Sequence, residues 1–192
     1  MARSDSFALA NSTFEEAEFV ILGVPYDGTT RFRSGTRKAP TAIRKASRLF
    51  DPYLFEHDLD VSTVKVHDAG DLDCGSSCED MFKVVEKEAS KIIKTGKFPI
   101  IMGGERSITY PFVKAFQEVG VVSIDAHLDF EMQGDRKFDH ACTMRKVADV
   151  VGIENVVPFG VRSISRREIG QEMPNYVDAY QIQETGVVNS WK

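Results

Sequence analysis

The chain has few cysteines, a deficit of basic charge and no long apolar run, and each shortage closes off a class of protein. Three cysteines, Cys74, Cys78 and Cys142, stand unevenly along the 192 residues. They are too few and too scattered for a disulfide framework, so free thiols are expected. Cys74 and Cys78 have no second Cys or His pair near enough to close a zinc tetrahedron. No apolar run approaches the roughly 18 residues of a membrane span. The start, Met1-Ala2-Arg3-Ser4-Asp5, lacks the basic region and apolar core of a signal peptide. A cytoplasmic address with no membrane partner is the expectation. Lys and Arg number 24 against 29 Asp and Glu, a formal net charge of −5. A nucleic-acid partner calls for clustered cations that displace counterions, so none is expected. Internal repeats, low-complexity stretches and interdomain linkers are absent as well.

What is present is 42% hydrophobic and 28% charged sequence, enough for one sizeable core, and a single domain over 1–192 is expected. Short apolar runs of strand type alternate with stretches of helical period. Strands are expected at Phe19–Val24, Val64–Ala69, Phe98–Met102, Val119–Ile124, Val156–Val161 and Val177–Ile182. Most of them are too continuously apolar for a sheet with one wet face. Between the second and third, Phe82, Val85, Ala89 and Ile92 or Ile93 recur at helical spacing within Glu79–Lys94, with Lys and Glu on the other side: a crossover helix. Shorter helices are expected over Pro40–Phe50, Tyr110–Val119 and Thr143–Val151. Strands alternating with helices read as an α/β fold with a mainly parallel sheet.

In open parallel sheets ligands bind beyond the carboxyl ends of the strands, so polar residues just after strands are the place to look. The first such loop, Pro25-Tyr26-Asp27-Gly28 through Arg33-Ser34-Gly35-Thr36-Arg37, reads by itself as a Gly and Pro turn feeding a helix that has Pro in its first turn. The sharpest signal is Val121-Val122-Ser123-Ile124-Asp125-Ala126-His127-Leu128-Asp129. Here an apolar strand breaks into three ionisable residues at every second position, which period two places on one face. A divalent cation such as Mn²⁺, taking oxygen and imidazole donors, would satisfy them. The alternative is a strand end that surfaces into water, its His donating to a nearby carbonyl. A second signal is Gly103-Gly104-Glu105-Arg106-Ser107 after an apolar run. Its paired glycines allow close backbone approach, Glu105 could be a further acid near a metal, and Arg106 could hold an anion. The third is Asp139-His140-Ala141-Cys142-Thr143, where His140 is either structural or placed to pass protons.

Gly23-Val24-Pro25-Tyr26-Asp27, Ser34-Gly35-Thr36, Ala39-Pro40 to Arg44, Gly103-Gly104, Asp125-Ala126-His127-Leu128-Asp129 and His140-Ala141-Cys142-Thr143-Met144-Arg145 occur in an order that resembles the arginase and agmatinase superfamily, in detail its agmatinase branch. The resemblance implies a three-layer α/β/α fold with a mainly parallel sheet, and a metal-dependent hydrolase that cuts a guanidino compound, agmatine first, to release urea. It implies that Asp125 bridges two Mn²⁺ ions, that His127 binds one and Asp129 the other, and that His140 is the catalytic proton shuttle. It also implies a homo-oligomer, a trimer or hexamer as in the family. Two departures stand out. The family's Gly-Gly-Asp-His-Ser element supplies a His ligand, and that position is Arg106 here, a cation without an acceptor lone pair. The family's Ser-x-Asp-x-Asp strand is expected soon after Ile182, so the resemblance implies a fold that lacks its C-terminal strands, which belong in the middle of the sheet. A second reading is therefore a non-catalytic homologue acting as a structural or regulatory partner. A third is a metal phosphoesterase holding an anion with Gly103, Gly104 and Arg106.

Overall fold

The computed structural model of the protein describes residues 6–132 and 138–190. The sequence reading of Met1 to Asp5 and of the Trp191-Lys192 ending lies outside them. The fold is α/β with parallel sheets, in two compact units, one up to Ala115 and one from Phe116 onward.

In the first unit β1 (Phe19–Val24) is followed by a 3-10 turn and α1 (Ala39–Ser47), the small antiparallel pair β2 (Tyr53–Leu54) and β3 (Leu59–Asp60), β4 (Val66–Asp71), α2 (Cys78–Lys94), β5 (Phe98–Gly103) and α3 (Thr109–Val113). The main sheet is parallel, in the order β4-β1-β5. As the central strand, β1 is buried almost throughout. Val20 and Leu22 pack with Ile92, and Val24 packs with Met81 and Val85 of α2, while Ile21 turns the other way onto Val66 and Met102. Burying each such aliphatic side chain stabilises the fold by roughly 1.5–3 kcal/mol. The buried stripe of α2 is Met81, Val85, Ala89 and Ile92. Met81 thus takes the buried position expected for Phe82, which is only partly buried. Ser77 caps α2, accepting from Asp80 N.

Several boundaries differ from the sequence reading in this unit, and three of the differences have a clear local cause. Helix α1 ends at Ser47 rather than Phe50, because Arg48 N and Leu49 N bond to carbonyls only three residues back, tightening the last turn. Helix α3 stops at Val113, where Ala115 N likewise reaches only to Phe112 O. Strand β4 starts two residues late, because Val64 closes a 3-10 turn while the Lys65 carbonyl accepts from Glu18 N and Phe19 N.

The second unit runs β6 (Val121–Ile124), α4 (Thr143–Val151), β7 (Val156–Val161), β8 (Val177–Asp178), α5 (Ala179–Thr185) and α6 (Val187–Ser190), with parallel strands in the order β6-β7-β8. The expected strand Val177–Ile182 is mostly helix. Asp178 turns its side chain onto Gln181 N and caps α5, taking the chain out of the sheet after two residues. Full burial of both strand faces holds for β1 but not for β6, where Val122 and Ile124 are 48% and 85% exposed. The edge strand β5 also exposes Phe98 and Ile100.

A buried ion pair of the first unit ties α1 to β4. The Arg44 guanidinium forks onto Asp68, Nε at 2.7 Å and Nη2 at 2.8 Å, and its Nη1 reaches Asp71. The side chains of Arg44 and Asp68 are 5% and 1% exposed. Asp68 also accepts from Phe7 N and Gly70 N. Burial opposes ionisation of Asp68, but the Arg44 hydrogen bonds and these two amides outweigh it and hold its carboxyl below the ordinary range. In the loop after β1, Asp27 accepts from Arg37 Nε, Gly35 N and Arg37 N. The Arg37 hydrogen bond, against the opposing effect of burial, lowers its pKa to about 2.

Arg44→Met leaves Asp68 as an uncompensated buried charge and is expected to cost about 3–5 kcal/mol in urea unfolding. Adding Asp68→Leu should recover only part of that, since Phe7 N and Gly70 N then lose their acceptor. A depressed carboxylate stabilises the fold above its unfolded value of about 3.9 and stops doing so as pH falls through its folded value. Melting temperatures should therefore drop between about pH 4 and pH 2, and Asp27→Asn should flatten part of that drop.

Candidate active site

Both units place their polar residues where the sheet argument expects them, just past the carboxyl ends of strands. In the first unit the loops after β1 and β5 lie against each other. Gly104 N donates to Val24 O at 3.1 Å and Glu105 N to Tyr26 O at 3.0 Å. Gly104 is obligatory because a Cβ there would overlap the Tyr26 carbonyl. Glu105 is committed to this junction. Its two oxygens accept from Thr29 N at 3.1 Å, Thr29 Oγ1 at 2.6 Å, Thr30 Oγ1 at 3.1 Å and Ser107 Oγ at 2.5 Å. In this structure the carboxylate clamps the β1 loop, a use that the sequence reading did not offer. Arg106 opens the 3-10 turn Arg106–Ile108 that leads into α3 and is partly buried. Tyr26 beneath them is buried, and burial first, then the nearby Cys78 thiol, pushes its phenol above the ordinary value.

In the second unit the chain leaving β6 continues alongside the end of β7. Asp125 N donates to Phe159 O, and Arg162 N and Ser163 N both donate to Ala126 O. His127 sits opposite Ser163 in a parallel bridge. Two of the three expected donors come together: Asp125 Oδ1 lies 3.2 Å from His127 Nδ1 and accepts from His127 N at 2.9 Å. The imidazole is half exposed.

Asp129 does not continue the period-two pattern, because its φ is 55°, in the left-handed region. The backbone turns there, Leu128 and Phe130 enter the core, and Asp129 is itself buried. The expectation of three donors along one strand face is corrected at this residue. The turn is held by the Asp129 carbonyl, which accepts from Met144 N and Arg145 N at the start of α4. His140 begins the 3-10 turn His140–Cys142 that feeds the same helix. Asp139 caps that turn, its side chain accepting from Ala141 N at 2.9 Å. His140 and the Asp129 carbonyl thus meet one element, the amino end of α4. The second unit also holds a residue that sequence reasoning passed over. Glu168, buried in the loop after β7, accepts from Phe130 N at 2.8 Å and Ser165 N at 2.6 Å. It lies well into the polar loop between β7 and β8, where no period or motif sets it apart.

The donor types at Asp125 and His127, carboxylate oxygen and imidazole nitrogen, are those a hard-to-borderline divalent cation such as Mn²⁺ takes. Their number is short of a closed shell: among the described residues no three His, Cys, Asp or Glu side chains gather as a metal site. No helix of the described residues is long and apolar enough to cross a membrane.

The sequence model of the arginase family matches residues 17–191. The agmatinase of Pyrococcus horikoshii is 39% identical over 171 residues, covering 87% of this chain and 59% of the relative. The N(1)-aminopropylagmatine ureohydrolase of Thermococcus kodakarensis is 35% identical over 159 residues, covering 81% of this chain and 54% of the relative. The crystal structure of the agmatine ureohydrolase of Thermoplasma volcanium superposes with a TM-score of 0.92 at 30% identity, over 98% of this chain and 66% of that one. A manganese-bound formiminoglutamase from Trypanosoma cruzi follows at a TM-score of 0.82 and 25% identity, over 95% of this chain and 67% of that one. The chain therefore spans less than two thirds of the length of these curated relatives. With the parallel α/β units and polar strand ends already described, the family match over 17–191 means that the chain belongs to the arginase family.

Proposed function

We propose that this chain belongs to a manganese-dependent hydrolase of guanidino compounds, with agmatine as substrate and putrescine and urea as products. The observation that carries the reading is the Asp125 and His127 pair at the carboxyl end of β6, set in an arginase-family chain whose relatives include agmatinases and aminopropylagmatine ureohydrolases. Asp125, His127 and Asp129 are the proposed metal ligands and His140 the proposed proton carrier. The family assignment further supports a soluble, cytoplasmic homo-oligomer working in polyamine synthesis.

In the proposed reaction water adds to the guanidino carbon, the bond from that carbon to the alkyl nitrogen breaks, and a proton passes to the departing amine. Manganese, when bound, supplies the positive charge that makes water nucleophilic at neutral pH. The residues of this chain do the rest. Asp125 orients the His127 ring through its Oδ1. The amino end of α4 anchors the backbone of Asp129. His140, at the head of the same helix, is placed to hand the proton on.

Arg106 occupies the position where the family's pattern has a His ligand, and its guanidinium offers no lone pair to a metal. It favours the second reading, a homologue that no longer catalyses and serves an intact subunit.

Manganese retained per chain after dialysis, together with urea released from agmatine, tests the first reading. About two ions per chain with urea release is the expected result. An absence of both would overturn it in favour of the non-catalytic partner. Arg106→His should raise both bound Mn²⁺ and urea release. If the substituted protein folds normally and neither rises, the reading as a non-catalytic partner is favoured.

A further inference from the structure

We propose that Glu168 is a positioning residue that holds Asp129 in its left-handed turn and so sets where the Asp129 carboxylate points. The inference rests on the reading of Asp129 as a metal ligand, and it adds a residue that carries neither metal nor substrate. A non-glycine residue at φ 55° persists only where its surroundings over-determine it. Here the peptide plane joining Asp129 to Phe130 is pinned at both of its polar ends. Its carbonyl accepts from Met144 N at 3.1 Å and Arg145 N at 3.3 Å, both from α4. Its N–H donates to Glu168 Oε1 at 2.8 Å. Fixing that plane fixes ψ of Asp129.

The carboxylate that does this is itself held by its own loop. Glu168 Oε2 accepts from Ser165 N at 2.6 Å, and Glu168 N donates to Ser165 O at 3.0 Å. The residues on either side are locked as well. Phe130 is 1% exposed, with the Arg145 guanidinium 5.6 Å from its ring centroid, and Glu131 N donates to Ala141 O. Glu168 is 4% exposed, and removing its side chain would take from Phe130 N the acceptor it has inside the protein. The loop after β7 and the turn after β6 are thereby one unit, and outer residues of this kind tune metal affinity through the ligands they orient.

The test compares Glu168→Ala and Glu168→Gln with a stability control, Val156→Ala, which opens a cavity at the amino end of β7, away from the turn. Two quantities are read in the full chain. One is the amide exchange rate of Phe130 relative to Met144 and Arg145 without metal, and the other is the Mn²⁺ dissociation constant from the electron paramagnetic resonance of free Mn²⁺. Glu168→Ala should speed Phe130 exchange markedly and weaken Mn²⁺ binding by about tenfold or more. Glu168→Gln, which keeps one acceptor oxygen, should show smaller changes in both. Val156→Ala should lower the melting temperature and leave both quantities at wild-type values. Unchanged Phe130 exchange or unchanged Mn²⁺ affinity in a folded Glu168 variant would overturn the proposal. A wild-type chain that takes up no Mn²⁺ would instead remove Asp129 from the ligand set. The exchange rates alone would then support or overturn the role of Glu168.

Discussion

A charge removed from water must be answered by hydrogen-bond donors, and in this protein that constraint shapes the loops at the ends of the strands. Three buried acids and the partly buried Glu105 carry it. Asp68 takes the forked guanidinium of Arg44 and two backbone amides. Asp27 takes Arg37 and the turn at Gly35. Glu105 takes both threonines of the β1 loop and Ser107, and Glu168 takes the amides of Phe130 and Ser165. Leaving any one of these donors unanswered in the interior would cost about 1–3 kcal/mol, so each carboxylate selects one loop geometry from many. The apolar core supplies the bulk of the stability, and these carboxylates decide which loop meets which.

The candidate site follows from the same logic. The proposed metal-assisted hydrolysis would take a cation, a water and a proton carrier set in a fixed arrangement. The second unit brings Asp125 and His127 within hydrogen-bond distance. It also gathers the Asp129 backbone and His140 at the amino end of α4. In the first unit, the acid one might enlist beside a metal, Glu105, is already spent on the β1 loop. Of the paired glycines before it, Gly104 serves a backbone contact, facing the Tyr26 carbonyl, and Gly103 lies against the Ile108 side chain.

Much of the fold was legible in the order of residues, because burial imposes a period. The strand Phe19–Val24, the helix Thr143–Val151 and the strand Val156–Val161 have the bounds read from their apolar patterns. The α2 stripe was nearly so, with Met81 in place of Phe82. The failures fall where a single polar contact outweighs a pattern. Asp178 caps a helix in what reads as a strand, and Asp129 leaves the strand period through a left-handed backbone. Neither event has a signature in hydrophobic spacing, because each depends on which amide lies nearby in space.

By itself, then, the sequence determined the α/β class, the parallel strands, the family and the segments that bear the chemistry, since all of these rest on local period and on motifs contiguous in the chain. Only the tertiary structure decided which donors meet. Asp125 with His127, Asp129 against α4, and Glu168 under Phe130 are contacts made by backbone turns and by residues up to 38 positions apart. Their physical basis is the need of each buried polar group for a partner that sequence spacing cannot name.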